Sequence, residues 1–170
     1  MSSQIVSLKR IYFYLRKRMK KKHNRHVSLG DLITDRWETA RFLGFGSGTS
    51  CYDNVLILGE VTVGNNTWIG PNVILDGTGG LEIGDYCSVS AGVQIYTHDS
   101  VEWSVTLGDS PKVIAATKIG NGVYIGPQTV IQKGVTIGDR AIIGALSFVN
   151  KDVKSGETVF GIPARAKEHR

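Results

Sequence analysis

An apolar residue recurs every six positions through most of this chain. It stands at Phe45, Cys51, Ile57, Val63, Ile69 and Leu75, resumes at Ile83, Val89 and Ile95, and runs on through Ile119, Ile125, Ile131, Ile137, Ile143 and Val149. Glycine follows it at Gly46, Gly64, Gly70, Gly84, Gly120, Gly126, Gly138 and Gly144. A helix repeats at about 3.6 residues and an amphipathic strand at about 2. A repeat of six instead fits a short strand followed by a corner, with about eighteen residues closing a coil of three such units. The β-branched inward residues suit short strands and the glycines suit corners. Each coil then buries its face only against its neighbours, and the two ends need caps. The spacing predicts an all-β solenoid, a parallel β-helix of about five coils over residues 45–154. A basic helical segment over 1–44 precedes it and a tail over 155–170 follows it, both candidate caps.

The beat breaks twice. Gly77-Thr78-Gly79-Gly80 adds a small bulge between Leu75 and Ile83, and residues 98–118 form a long excursion between Ile95 and Ile119. Extra residues in a solenoid leave on one face, and such loops commonly carry function. The longer break opens at Thr97-His98-Asp99, with the only histidine inside the repeats.

The formal charge of +5 is unevenly distributed. Lys9, Arg10, Arg16, Lys17, Arg18, Lys20, Lys21, Lys22 and Arg25 precede the first acidic residue, Asp31. The other eleven basic residues face fifteen acidic ones, so the body is mildly acidic and the positive charge belongs to the N-terminal segment. Residues 4–22 read as a helix with Ile5, Leu8, Tyr12, Leu15 and Met19 on one face. A short helix is expected over 31–42, capped by Ser28 or Asp31. The basic helix admits three readings: a cap packed on the solenoid end, a peripheral contact with an anionic membrane through residues 4–22, or nucleic-acid binding. The solenoid carries no nucleic-acid motif, so the last ranks lowest and no nucleic-acid partner is expected. No apolar run is long enough to span a membrane, and the N-terminal stretch lacks the apolar core of a secretory signal. Cys51 takes an inward position and Cys87 does not, so the two are expected unpaired, which suits a reducing cytoplasm. A chain of 170 residues is one domain by default.

The repeats at Ile119-Gly120-Asn121-Gly122-Val123-Tyr124, Ile125-Gly126-Pro127, Val135-Thr136-Ile137-Gly138 and Ile143-Gly144-Ala145 resemble those of the hexapeptide-repeat acyltransferases, as does the tail Gly161-Ile162-Pro163-Ala164-Arg165. The segment from Leu75 to Gly84, followed by Tyr96-Thr97-His98-Asp99, resembles the region around that family's active histidine. The likeness covers residues 55–168 and is nearest to the sugar O-acetyltransferase branch, alongside maltose and galactoside acetyltransferases. It implies a left-handed β-helix, a homotrimer with active sites between subunits, and acetyl-CoA as acyl donor with no metal. Left-handed crossovers run against the general right-handed preference, so handedness rests on the resemblance alone.

His98 is the candidate catalytic residue. Acyl transfer from a thioester needs a base to take the proton of the attacking hydroxyl or amine, and neutral imidazole suits that task. His23, His26 and His169 lie outside the repeats and read as solvated. Asn72 and Asp76 precede His98 by about one coil; each is a candidate for holding the acceptor or orienting the histidine, and each is equally explained as corner chemistry. Asp99 is a second candidate for orienting His98, but adjacent residues on an extended chain point apart, which favours solvent exposure. Trp103, in the excursion with Val105 and Leu107, is a candidate acceptor wall or subunit contact. By resemblance, Gly126, Ala145, Asn150 and Lys151 match positions along the coenzyme A arm, and Arg165 matches a tail arginine near its phosphates, a role suited to guanidinium chemistry. Two residues depart from the family pattern. Asn150 stands where threonine is common. Pro127, which has no N–H, stands near where a backbone amide meets the thioester oxygen, so another group must supply that donor.

The function expected is acetyl transfer from acetyl-CoA to a hydroxyl of a sugar or glycan precursor, in the cytoplasm or at the inner face of the membrane. N-acetylation of a nucleotide-linked amino sugar would use the same base and donor. The γ-class carbonic anhydrase shares the fold but needs three histidines on zinc, against one in these repeats. A non-catalytic scaffold would have no use for the loop at His98 or the tail arginine.

Overall fold

The computed structural model describes residues 3–167 as a three-faced parallel β-solenoid with helices at its N-terminal end. On the first face Ser50–Cys51, Trp68–Ile69, Ser88–Val89, Tyr124–Ile125, Ile142–Ile143 and Thr158–Phe160 stack in parallel, in that order. The second face stacks the first parts of the long strands Leu56–Val63 and Ile74–Ile83, then Gln94–Ile95, Val130–Ile131 and Phe148–Val149. The third stacks the far parts of the two long strands with Thr117–Ile119 and Thr136–Ile137, and a single bridge to Val153 ends it. The solenoid therefore makes about six turns on its most complete face. The rung beyond the expected five comes from Thr158–Phe160, inside the tail.

Bonded partners on successive coils are 18 residues apart in the regular part. The bulge widens this to 20, and the excursion to 36. Twice eighteen means that the excursion has the length of one coil. The coils on either side stack directly on each other, Ser88 beside Tyr124 and Gln94 beside Val130.

Nearly all the beat residues are buried, and so are the residues two positions before many of them. Strand alternation turns both inward. Thr49, Thr67, Cys87, Val123 and Ala141 form one such inner column. Cys87 is therefore inside, contrary to the reading of the six-residue beat, which marks only one of the two inward positions per strand. Both cysteines are free and buried; burial pushes both thiols up, that of Cys51 to about 12. Threonine hydroxyls within the core are satisfied by neighbouring carbonyls, Thr67 donating to Gly84 at 2.8 Å and Thr129 to Gly144 at 2.9 Å. Each fully buried isoleucine contributes about 1.5–3 kcal/mol.

At the N-terminus, α1 (Ser3–His23) forms as expected. The stretch expected as one helix over 31–42 is two, α2 (Leu29–Ile33) and α3 (Arg36–Phe42). The break is Asp35, which caps α3: its carboxylate accepts from the amides of Trp37 and Glu38, and Glu38 accepts from the Asp35 amide at 2.8 Å. Ser28 caps α2. Helix α3 lies over the first coil, with Ala40 and Phe45 closing the core. Helix α1 packs on α2 instead, and its N-terminal half stays exposed. Among the described residues no helix is long and apolar enough to cross a membrane. At the far end Arg165–Ala166 pairs antiparallel with Thr158–Phe160 and covers the last coil.

Candidate active site

The site forms at the corner between the second and third faces, where both interruptions leave the solenoid. Asp76 ends the second-face part of its strand and points inward, with its side chain fully buried. One carboxylate oxygen accepts from the Thr78 amide at 3.1 Å and the Thr78 hydroxyl at 2.5 Å; the other accepts from the Thr97 amide at 2.9 Å and from His98 Nδ1 at 2.6 Å. Burial by itself would push this carboxyl up. The bonds from Thr78, Thr97 and His98 outweigh it and hold the group well below the usual carboxylate range. Asp76 is therefore ionised and can only accept. Nδ1 of His98 must carry the proton, which leaves the lone pair of neutral imidazole on Nε2.

His98 opens the excursion. His98–Asp99 pairs antiparallel with Val113–Ile114, so the excursion leaves and returns as a short hairpin. Its base rests on the bulge. The Gly79 amide donates to Thr97 Oγ1 at 2.8 Å, and a Cβ on Gly79 would come within 2.7 Å of the Thr97 carbonyl oxygen and 2.5 Å of Ile114. Only glycine lets the two interruptions lie this close. The His98 side chain is 25% exposed, and Nε2 has no hydrogen-bond partner among the described residues. A buried anion behind Nδ1 and an open Nε2 are what an oriented general base requires.

Asp99 points away from His98, as strand alternation requires, but it is not simply solvated. It pairs with Lys133 from the next coil, and the hydrogen bond from Lys133 holds its carboxyl low. Helix α4 (Val101–Val105) follows, with Val101, Trp103 and Val105 all exposed.

Of the two polar candidates one coil earlier, the structure brings only Asp76 to the histidine. Asn72 sits at the corner between the first and second faces, in a left-handed turn with φ of 57°, and accepts from Asn54 at 2.7 Å. Gly126 and Ala145 meet at that same corner, where a Cβ on Gly126 would lie 2.4 Å from the Ala145 amide nitrogen. Pro127, beside them, accepts from the Leu146 amide at 2.9 Å. Asn150 and Lys151 are exposed on the His98 side of the solenoid, two coils further on. Arg165 is exposed in the closing strand. His26 bonds Arg16 at 2.8 Å, and His169 lies outside the described residues. The sequence reading did not single out Thr78, Thr97 or Lys133. Counting two positions on from Ile95 and Ile131 would have paired Thr97 with Lys133.

The bacterial transferase hexapeptide family (six repeats) matches residues 116–151, and the hexapeptide repeat of succinyl-transferase matches residues 60–97. A galactoside O-acetyltransferase of Escherichia coli (strain K12) is 31% identical over 128 residues, covering 61% of this chain and 61% of that protein. A serine acetyltransferase of Buchnera aphidicola subsp. Acyrthosiphon pisum (strain APS) is 39% identical over 101 residues, covering 58% of this chain and 35% of that protein. The chain thus spans less than two thirds of the length of these curated relatives. Among solved structures, the N-acyltransferase AntD from Bacillus cereus in complex with dTDP and 3-hydroxybutyryl-CoA has a TM-score of 0.65 at 22% identity, covering 74% of this chain and 71% of that one. A hexapeptide-repeat-containing acetyltransferase from Vibrio cholerae O1 biovar eltor, complexed with acetyl-CoA, has a TM-score of 0.56 at 24% identity, covering 98% and 89%. At such identities the likeness of these structures establishes the fold alone. The repeat matches and the curated relatives together identify the coils of this chain as hexapeptide repeats, of the kind those acetyltransferases carry.

Proposed function

We propose that the protein transfers an acetyl group from acetyl-CoA to a hydroxyl of a sugar or glycan precursor, with His98 as general base. The observation that carries this reading is the 2.6 Å contact between His98 Nδ1 and the buried Asp76 carboxylate, with Nε2 open on the other side. The acceptor hydroxyl attacks the thioester carbonyl carbon as Nε2 takes its proton. The new O–C bond forms a tetrahedral intermediate. Its collapse breaks the C–S bond, and the proton on Nε2 passes to the departing sulfur. The donor is already activated, so no covalent enzyme intermediate is needed. While His98 carries the extra proton, Asp76 stabilises the imidazolium without itself becoming protonated. Such a base contributes about 10²–10⁴-fold.

The reading includes a cytoplasmic homotrimer, with the donor running along the C-terminal coils past Ala145, Asn150, Lys151 and Arg165. The outward residues support it. Trp68, Tyr124 and Ile142 on the first face and Leu56 and Leu58 on the second are apolar and exposed, whereas the third face carries the Glu82–Lys118 ion pair. Two of the three faces are thus suited to subunit contact. Light scattering that returned a monomer mass would remove the shared donor site.

The enzymatic test follows free thiol from acetyl-CoA with a panel of sugars, glycan precursors and nucleotide-linked amino sugars. Wild type should release thiol with at least one hydroxyl acceptor. Equal rates for wild type and His98→Ala with every acceptor would overturn the base assignment. Turnover confined to the amino sugars would replace O-transfer with N-transfer.

A further inference from the structure

Helix α1 is covered on one side only. Tyr12, Leu15 and Met19 are half-buried on the side that meets α2. Beside that covered side runs a ridge of Val6 and Phe13, seven residues apart and therefore on one face, at 40% and 54% exposure. Lys9, Arg10, Tyr14 and Lys17 surround it in one open groove, and a second groove runs from Phe13 past Lys20 toward Val27 and Leu32. Toward the N-terminus even the inner stripe loses its cover, with Ile5, Leu8 and Ile11 all exposed. Among the described residues none of the basic side chains of α1 forms an ion pair. Arg16 and Lys20 bond His26 and Asn24, which are uncharged or weakly basic groups.

We propose that α1 docks the protein on an anionic phospholipid surface, with Val6 and Phe13 entering the interface and Lys9, Arg10, Lys17 and Lys20 meeting the phosphates. The pairing of cations with exposed aliphatic and aromatic side chains on one face is the chemistry of an interfacial helix. A second copy of the helix is a poor occupant, because nine basic residues before the first acidic one repel their like. Nucleic acid would satisfy the cations but leave Val6, Phe13, Leu8 and Ile11 in water. The mildly acidic body is repelled by the same surface, which turns the N-terminal end of the solenoid toward it.

The test uses the full chain, co-sedimented with vesicles of phosphatidylcholine with and without phosphatidylglycerol, at low and high salt. Binding should require phosphatidylglycerol and fall as salt rises. Changing Lys9, Lys17 and Lys20 together to Gln should weaken partitioning about a hundredfold. Val6→Ser with Phe13→Ser should weaken it at least about tenfold while leaving every charge in place. Both variants alter exposed positions far from His98, so their thiol release with a soluble acceptor should match wild type. Binding indifferent to phosphatidylglycerol, or unchanged in either variant, overturns the proposal. So does tighter binding to a short DNA duplex than to the anionic vesicles.

Discussion

Two corners of the same solenoid use their polar side chains in opposite ways. At the corner between the third and first faces, Asn65 accepts from the Ser47 amide at 2.8 Å, Asp85 from Asn65 at 2.6 Å, Asn121 from Asp85 at 2.9 Å and Asp139 from Asn121 at 2.7 Å. Each side chain is occupied by the backbone of the coil before it. At the corner between the second and third faces the bulge and the excursion break that pattern. Asp76 instead takes the Thr97 amide of the coil after it, and its remaining capacity goes to Thr78 and to an imidazole. Regular stacking consumes polar groups in holding the wall together. Where stacking is interrupted, one nitrogen, Nε2 of His98, is left without a partner among the described residues.

The sharpest way to break this contrast is His98→Ala. Thiol release should fall about 10²–10⁴-fold, with the circular dichroism spectrum unchanged, because the side chain is peripheral to the core. Next in size is a change to the shared wall. Ile125→Ala removes a fully buried side chain and should lower the unfolding free energy by about 2–5 kcal/mol in a denaturant titration. Both corners should suffer alike, since both rest on that wall.

Asp76→Asn separates positioning from chemistry. Asn cannot hold the Nδ1 proton as a carboxylate does, so kcat should drop about 10–100-fold with KM for acetyl-CoA little changed. The variant also changes acid stability. The folded carboxyl lies below its unfolded value, so the stability it contributes is complete above about pH 4 and is lost as pH falls from there toward the folded value. The melting temperature of wild type should therefore fall more steeply below pH 4 than that of Asp76→Asn; parallel acid limbs would refute the paired carboxylate. The smallest effect belongs to the regular corner. Asp139→Ala frees one exposed amide and should reduce stability by about 0.5–1.5 kcal/mol in the same titration, leaving turnover unchanged.

The beat made the three faces legible, and the placement of His98 at the one long break marked it as the candidate base. Asp76 was harder. It lies 22 residues before His98, not one regular coil, because the bulge inserts residues between them. A six-residue count cannot say where inserted residues are accommodated, so Asn72 and Asp76 looked alike. Pairing Leu75 with Ile95 separates them, since it sets Asp76 opposite Tyr96, two residues short of His98, and Asn72 opposite Gly92, six short. Periodicity sets Lys133 beside Thr97, but its partner Asp99 belongs to the excursion, and the repeat carries no information about where a loop's side chains go. The division at Asp35 was readable in principle, since Asp35 followed by Glu38 is a helix-start signature.

The stacking order has a further consequence. Contacts in a solenoid join only adjacent coils, so opening begins at the ends and spreads inward like a zipper. The coil that delivers His98 follows the third of six rungs on the first face, with neighbours on both sides. The proposed site is housed where fraying arrives last. In hydrogen exchange the amides of Ser88 and Tyr124 should outlast those at either end, and the site should stay assembled after the terminal coils have begun to open.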